Sequence, residues 1–236
     1  MILTVDTLSF AINSDSENDL FDFLHLDRSL FEFSYASQQN YEYSYYFQGI
    51  FLSFGGKSNW KCYVHMSGKG CRAFEDLRGS SFSWDSFLKE VCNQIVSFRR
   101  IDIAADDTEG ILTFDKVEKA FRQNKVTGKL RTFKCIFGAE NCFYAGSNKS
   151  SCLIRIYDKA LERGYSEDDL GHPWTRCEMQ LRDPYCGQFI FEWLRAGDLP
   201  SIFSGHVLEQ LRFTPKPNLD KNAQRLKTAP WWSGFL

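Results

Sequence analysis

Three short segments alternate polar and apolar residues so regularly that each reads as a strand with one chemically loaded face. In Arg100–Asp106, Asp102, Ala104 and Asp106 share a face, while Ile101, Ile103 and Ala105 take the other. In Arg176–Arg182, the residues Arg176, Glu178, Gln180 and Arg182 oppose Cys177, Met179 and Leu181. In Leu153–Lys159, Arg155, Tyr157 and Lys159 oppose Ile154 and Ile156. Side by side, the three strands gather Asp102, Asp106, Glu178, Arg155, Tyr157 and Lys159 on one sheet face. Three carboxylates on a rigid surface suit a hard divalent cation, Mg²⁺ or Mn²⁺. A tyrosine among them, flanked by Arg and Lys, suits attack on a polarised phosphate. The alternative on the same spacing is a solvated sheet face with cross-strand ion pairs.

The rest of the chain supplies a frame for that face. Leu3–Ile12 reads as a first strand. Tyr41–Phe54 and Asn59–Met66 are aromatic-rich runs joined by Gly55-Gly56-Lys57-Ser58, the pattern of a hairpin with a longer turn. Trp84, Phe87, Leu88, Val91, Cys92, Ile95 and Val96 fall at helical spacing behind Ser83. A basic helix is expected over Phe114–Gln123, and strands over Thr132–Phe137, Cys142–Gly146 and Cys152–Tyr157. A helical turn through Lys159–Arg163 and helices near Gly187–Arg195 and Ser201–Leu211 complete the elements. The order implies an α+β fold, a central, mostly antiparallel sheet with helices on one face. No repeat or low-complexity linker interrupts residues 1–236, so a single domain is expected. The apolar end Pro230–Leu236 has no terminator and reads as a break in something longer.

Other features exclude more than they suggest. The eight cysteines form no CxxC pair, and Met1–Asn13 lacks the basic start of a signal peptide, so reduced, mostly buried thiols in a cytosol are expected. No run approaches a membrane span. Gly56-Lys57-Ser58 ends like a P-loop, but Phe51 stands where its first glycine belongs. Ser67–Arg72 (SGKGCR) reads as a tight turn or as a nest of backbone N–H groups for a phosphate. The four histidines form no metal-binding pair, and no Gly-x-Ser-x-Gly elbow exists.

The runs RIDIAADD, YAGSNKSSCLIRIYDKALERG and WTRCEMQLRD, in that order, resemble the Rep_trans-type rolling-circle initiators. That group takes in plasmid initiators, relaxases of conjugative elements and replication initiation factors of filamentous phages. Asp6–Phe10, the SGKGCR segment and the terminal Trp231-Trp232 resemble the phage branch. The resemblance implies a nicking-endonuclease-like fold in which Tyr157 is the nucleophile and Tyr144 a structural strand residue, the runner-up. It implies Asp102, Asp106 and Glu178 as metal ligands for Mg²⁺ or Mn²⁺, with Lys159 and Arg155 at the scissile phosphate. Lys69, Arg72, Lys149, Arg176 and Arg182 are the candidate DNA contacts. Origin DNA, single-stranded or extruded at the nick, is the implied substrate in a bacterial cytosol. A host helicase and polymerase would follow, a homodimer is open, and no membrane is involved. Two rival readings remain: an origin-binding protein without catalysis, and a nuclease or phosphatase that uses water.

Charge sharpens this. The net charge is −2, against 28 Lys+Arg and 30 Asp+Glu, which excludes a wholly basic nucleic-acid binder. Yet Met1–Glu42 holds eight acids and one base, a local −7. Asp115–Arg163 holds eleven bases and five acids, a local +6 around Tyr157, and Arg212–Lys227 adds five bases and one acid, a local +4. A cationic tract lies where a DNA backbone would be held.

Overall fold

In a computed structural model of the chain, the described residues are 2–14, 16–35, 40–57, 60–138, 141–218 and 225–236, without the side chains of 167 and 168. Its elements run β1 (Ile2–Ile12), α1 (Glu17–Leu24), a short 3₁₀ turn (Arg28–Leu30), β2 (Glu32–Ser34), β3 (Tyr43–Phe47), β4 (Ile50–Phe54) and β5 (Cys62–Met66). Next come α2 (Gly68–Arg78), α3 (Trp84–Cys92), β6 (Val96–Asp107), α4 (Phe114–Arg122), β7 (Val126–Thr127), β8 (Phe133–Ile136), β9 (Cys142–Ala145) and β10 (Cys152–Asp158). The chain closes with α5 (Lys159–Glu162), α6 (Glu167–Leu170), β11 (Thr175–Arg182), α7 (Tyr185–Ala196), α8 (Leu199–Gln210), β12 (Arg212–Phe213) and α9 (Pro230–Phe235). The expected α+β class with a mostly antiparallel sheet is what this chain adopts. Among the described residues no helix is long and apolar enough to cross a membrane.

The chain divides into two compact units. The N-terminal unit comprises Val5–Asp102 and Leu181–Gly197; the C-terminal unit comprises Met1–Thr4, Ile103–Gln180 and Asp198–Leu236. In the N-terminal unit the strand order is β2-β3-β4-β5-β1 and then β6. The run Tyr41–Phe54, read as one segment, is itself a hairpin. Gln48 and Gly49 at its tip have φ of 42° and 92°, the left-handed pair a tight turn between antiparallel strands needs. Ser58, expected in the next turn, and Asn59, expected to open the run after it, lie outside the described residues.

Alternation sorts the side chains of this unit. Leu8, Phe10, Leu52, Phe54, Val64 and Met66 point to one face and are buried. Helices α2 and α3 cover that side with Phe74, Phe87, Leu88 and Val91, and Phe74 and Phe87 meet at 5.0 Å between ring centroids. Each such side chain stabilises the fold by about 1.5–3 kcal/mol on burial. Ser67–Arg72 is neither nest nor turn. Ser67 caps α2 by accepting from the Gly70 N–H, and a Cβ on Gly70 would stand 2.2 Å from the Gly49 carbonyl oxygen. Those glycines are there to let helix and hairpin backbones touch.

In the C-terminal unit the order is β6-β11-β10-β9-β8, with α4 packed on β9 and β10. Phe143, Phe121, Phe213 and Trp232 form its aromatic core, and β12 pairs with β7 as a separate ribbon. The apolar end of the chain has a use here: Trp232 in α9 is fully buried, and its indole N–H donates to the Leu211 carbonyl at 3.3 Å. All eight cysteines are free, six of them buried.

Candidate active site

The C-terminal unit gathers most of the expected site on β10, β11 and the second half of β6. Arg155 and Tyr157 are two apart on β10, so they share a face. Both reach the same carboxylate on β11. The Arg155 guanidinium donates to Glu178 Oε1, and the Tyr157 hydroxyl donates to Glu178 Oε2 at 3.3 Å. Glu178 is only 1% exposed, whereas Tyr157 is half-buried and keeps access to its surroundings. Two cations sit over the Tyr157 ring: the Lys159 ammonium at 5.5 Å and the Arg155 guanidinium at 5.9 Å from its centroid. Lys159 is no longer a strand residue. It opens α5, is 4% exposed and pairs with Glu162 at 2.7 Å.

Cross-strand register extends the face. Lys134 on β8, Tyr144 on β9 and Arg155 on β10 are direct partners, so their side chains project together. Tyr144 is half-buried on the same face as Tyr157. Lys134 is exposed and was not singled out from the sequence, although the alternation of Phe133–Ile136 puts it there.

The carboxylates expected to hold a metal are otherwise engaged. Asp106 receives two parallel bonds from Arg176, Nε to Oδ1 and Nη2 to Oδ2, both 2.7 Å. Glu178 is taken by Arg155 and Tyr157. In the N-terminal unit, Asp102 is 1% exposed and is held by both Nε and Nη2 of Arg100. Among the described residues no three His, Cys, Asp or Glu side chains gather into a group that could hold a metal. In this arrangement each of the three carboxylates is held by an arginine, so a divalent cation would have to displace one to bind. The ion pairs of the rival reading do form, but on a face that is buried where it was expected to be solvated.

The expected DNA contacts divide in the same way. Lys69 and Lys149 are exposed, and Arg182 is half-buried. Arg176 spends its fork on Asp106. Arg72 pairs with Glu75 at 3.0 Å and donates to the Val5 carbonyl at 2.6 Å. Within the cationic tract, Lys116 is spent on the Gly110 and Ile111 carbonyls, whereas Arg131 and Lys134 stay exposed.

Comparison with known proteins gives this geometry a family. Residues 3–90 match the family described as Rolling Circle replication initiation protein N-terminal domain. The chain is 28% identical over 189 residues to a putative DNA relaxase NicK of Bacillus subtilis (strain 168), a match covering 73% of the chain. It spans about half of that relative's length, 52%. Its fold is that of a rolling circle replication initiator protein from Geobacillus stearothermophilus, with a TM-score of 0.86 at 24% identity over 99% of this chain and 94% of the other. Residues 96–236 carry the Tyr157 face and match the Rep_trans family of replication initiation factors, to which this chain belongs.

Proposed function

We propose that this chain nicks one strand of origin DNA through Tyr157, leaving a 5′-phosphotyrosyl link and a 3′-OH that primes synthesis. The observation that carries the reading is the shared carboxylate: Glu178 accepts from the Tyr157 hydroxyl and pairs with Arg155. A free phenol titrates near 10 and is a poor nucleophile at neutral pH. Glu178 supplies the base. The phenol proton passes to its carboxylate as the phenolate oxygen bonds to phosphorus. The P–O3′ bond breaks, and the departing oxygen takes a proton from solvent water to become the 3′-OH. Protonation of Glu178 also releases Arg155 from its partner charge, so the guanidinium can turn to the developing charge on phosphorus together with Lys159. Reversal of the step with a new 3′-OH rejoins the strand.

The test is incubation with supercoiled DNA carrying the replicon's origin, read as relaxed circles and as protein covalently attached to a 5′ end. Tyr157→Phe is expected to abolish the adduct. If Tyr157→Phe retains it, the assignment falls; if Tyr144→Phe alone abolishes it, the role moves to Tyr144. Adduct formation with the Tyr157 phosphate also separates this reading from hydrolysis by water and from binding without catalysis. Dependence on Mg²⁺ or Mn²⁺ remains part of the proposal and is read in the same assay with EDTA. Loss in EDTA with recovery in Mn²⁺ would require Asp106 or Glu178 to exchange its arginine for a cation.

A further inference from the structure

A cleft of about 490 Å³ in the N-terminal unit has no part in the chemistry above. Tyr41 and Trp60 wall it, Arg99 and Lys57 supply positive charge, and Asn40 and Gly56 complete the rim. Its size lies within the roughly 300–1,000 Å³ of small-molecule sites. The walls are rigidly set. Tyr41 stacks on Tyr63, with centroids 5.8 Å apart and planes at 21°. The Arg99 guanidinium lies 6.0 Å from the Trp60 ring centroid and pairs with Asp183 at 3.4 Å. Gly56 makes the close approach possible: a Cβ there would stand 2.2 Å from the Trp60 carbonyl oxygen and 2.7 Å from Tyr41 Cε1.

The geometry points to this cleft as a seat for an unpaired nucleotide of single-stranded DNA, its base against Trp60 and Tyr41 and its phosphate on Arg99 and Lys57. The inference rests on the reading of the chain as a DNA-nicking protein. Aromatic faces beside cations are the combination that single strands use, because every base has a π-face and every nucleotide a charge. Asn40 adds an amide that can both donate to and accept from a base edge. A duplex keeps its π-faces stacked on one another, so only an unpaired strand can use these walls. A nicking protein that works on extruded DNA has such a strand to hold.

The test uses the full chain carrying Tyr157→Phe, so that covalent capture does not enter, with fluorescein-labelled oligothymidylate and a dA·dT duplex as probes. Trp60→Ala should weaken binding of the oligothymidylate by roughly tenfold and leave the duplex unchanged. Trp60→Phe keeps a π-face and should recover most of the loss, with circular dichroism showing each variant folded. Oligothymidylate substituted with 5-iodouracil should photocrosslink to the peptide containing Trp60 or to Tyr41. Trp60→Ala at wild-type single-strand affinity, or an equal loss on duplex, overturns the inference. The adduct assay is scored separately on the Tyr157 chain. An adduct with no role for Trp60 leaves the nickase reading and removes the cleft; a selective Trp60 effect without an adduct does the reverse.

Discussion

The two units set the tyrosines of their sheets among different neighbours. In the N-terminal unit, ring meets ring: Tyr41 on Tyr63, Tyr43 on Phe54, Tyr45 edge-on to Phe21. Burial raises the Tyr41 and Tyr63 phenols above their ordinary value, only partly offset by Arg99 and, at Tyr63, by Ser9 and Arg100 as well. Burial first, then Glu17, pushes Tyr43 up to about 12. Such phenols stay protonated and inert. In the C-terminal unit, Tyr157 has its hydroxyl on a buried carboxylate and two cations over its ring. What sets Tyr157 apart is not a carboxylate partner as such, since Tyr45 donates to Glu17 at 2.9 Å beneath Arg28. It is that Glu178 is 1% exposed and that a second cation, Lys159, joins Arg155 over the ring.

If charge pairing is what builds the C-terminal face, breaking the pair that makes two parallel bonds with both side chains nearly buried should cost the most. The Arg176 and Asp106 side chains are 10% and 11% exposed. Arg176→Ala strands a nearly buried carboxylate and should lower stability by about 3–5 kcal/mol, read from the urea midpoint. Arg176→Lys should recover only part, because one ammonium cannot reproduce two parallel bonds. The exposed Arg122–Glu118 pair on α4 provides the contrast: Glu118→Ala should cost under about 0.5 kcal/mol. Equal costs at the two sites would show that burial does not set the strength of these pairs.

The next effect is on rate. Glu178→Gln keeps the shape of the site but removes the base for Tyr157 and the partner charge of Arg155. Adduct formation should slow by about a hundredfold or more with the fold intact. A variant that nicks at the wild-type rate would leave Glu178 as a purely structural anchor for Arg155.

Much of this was legible in the sequence, because period-two alternation is a strong signal and places side chains on faces without coordinates. β6, β10 and β11 stand where it put them, with Arg155, Tyr157 and Glu178 on one face. What it could not give was partner choice. Alternation aligned three carboxylates with three arginines and left open whether acids would meet each other around a metal or meet the arginines. Arg100 and Asp102 stand two apart on one strand, so that pair was readable; Arg176 with Asp106 required the strand order. The hairpin inside Tyr41–Phe54 was hidden because aromatic residues mask a turn whose only marks are Gln48 and Gly49. The cleft beside Trp60 was invisible, because its walls come from separate loops.

The aromatic unit should respond more mildly. Tyr63→Phe retains the stack on Tyr41 and loses only the hydroxyl, which hydrogen-bonds with Ser9. A loss of about 1 kcal/mol is expected from the same urea titration. A much larger loss would mean that the N-terminal sheet, too, depends on a polar network, and the contrast between the units would narrow.

The smallest effect concerns the one histidine of that network. His65 Nδ1 lies 2.7 Å from Ser9 Oγ, across the β5–β1 register, and Ser9 is 1% exposed. Burial holds the imidazole below its ordinary value, and the nearby Arg100 charge adds to the shift. An unfolded histidine titrates near 6.5. Between that value and the lower folded one, the unfolded chain binds more protons, so this contribution is complete above pH 6.5 and is lost as pH falls through the window. Lowering the pH from about 7.5 to about 5.5 should therefore lower Tm by an increment of about 2 °C or less that His65→Gln does not show. If the variant follows the wild-type slope over that range, the pH response belongs to other groups and His65 is only a packed ring between Ser9 and Phe51.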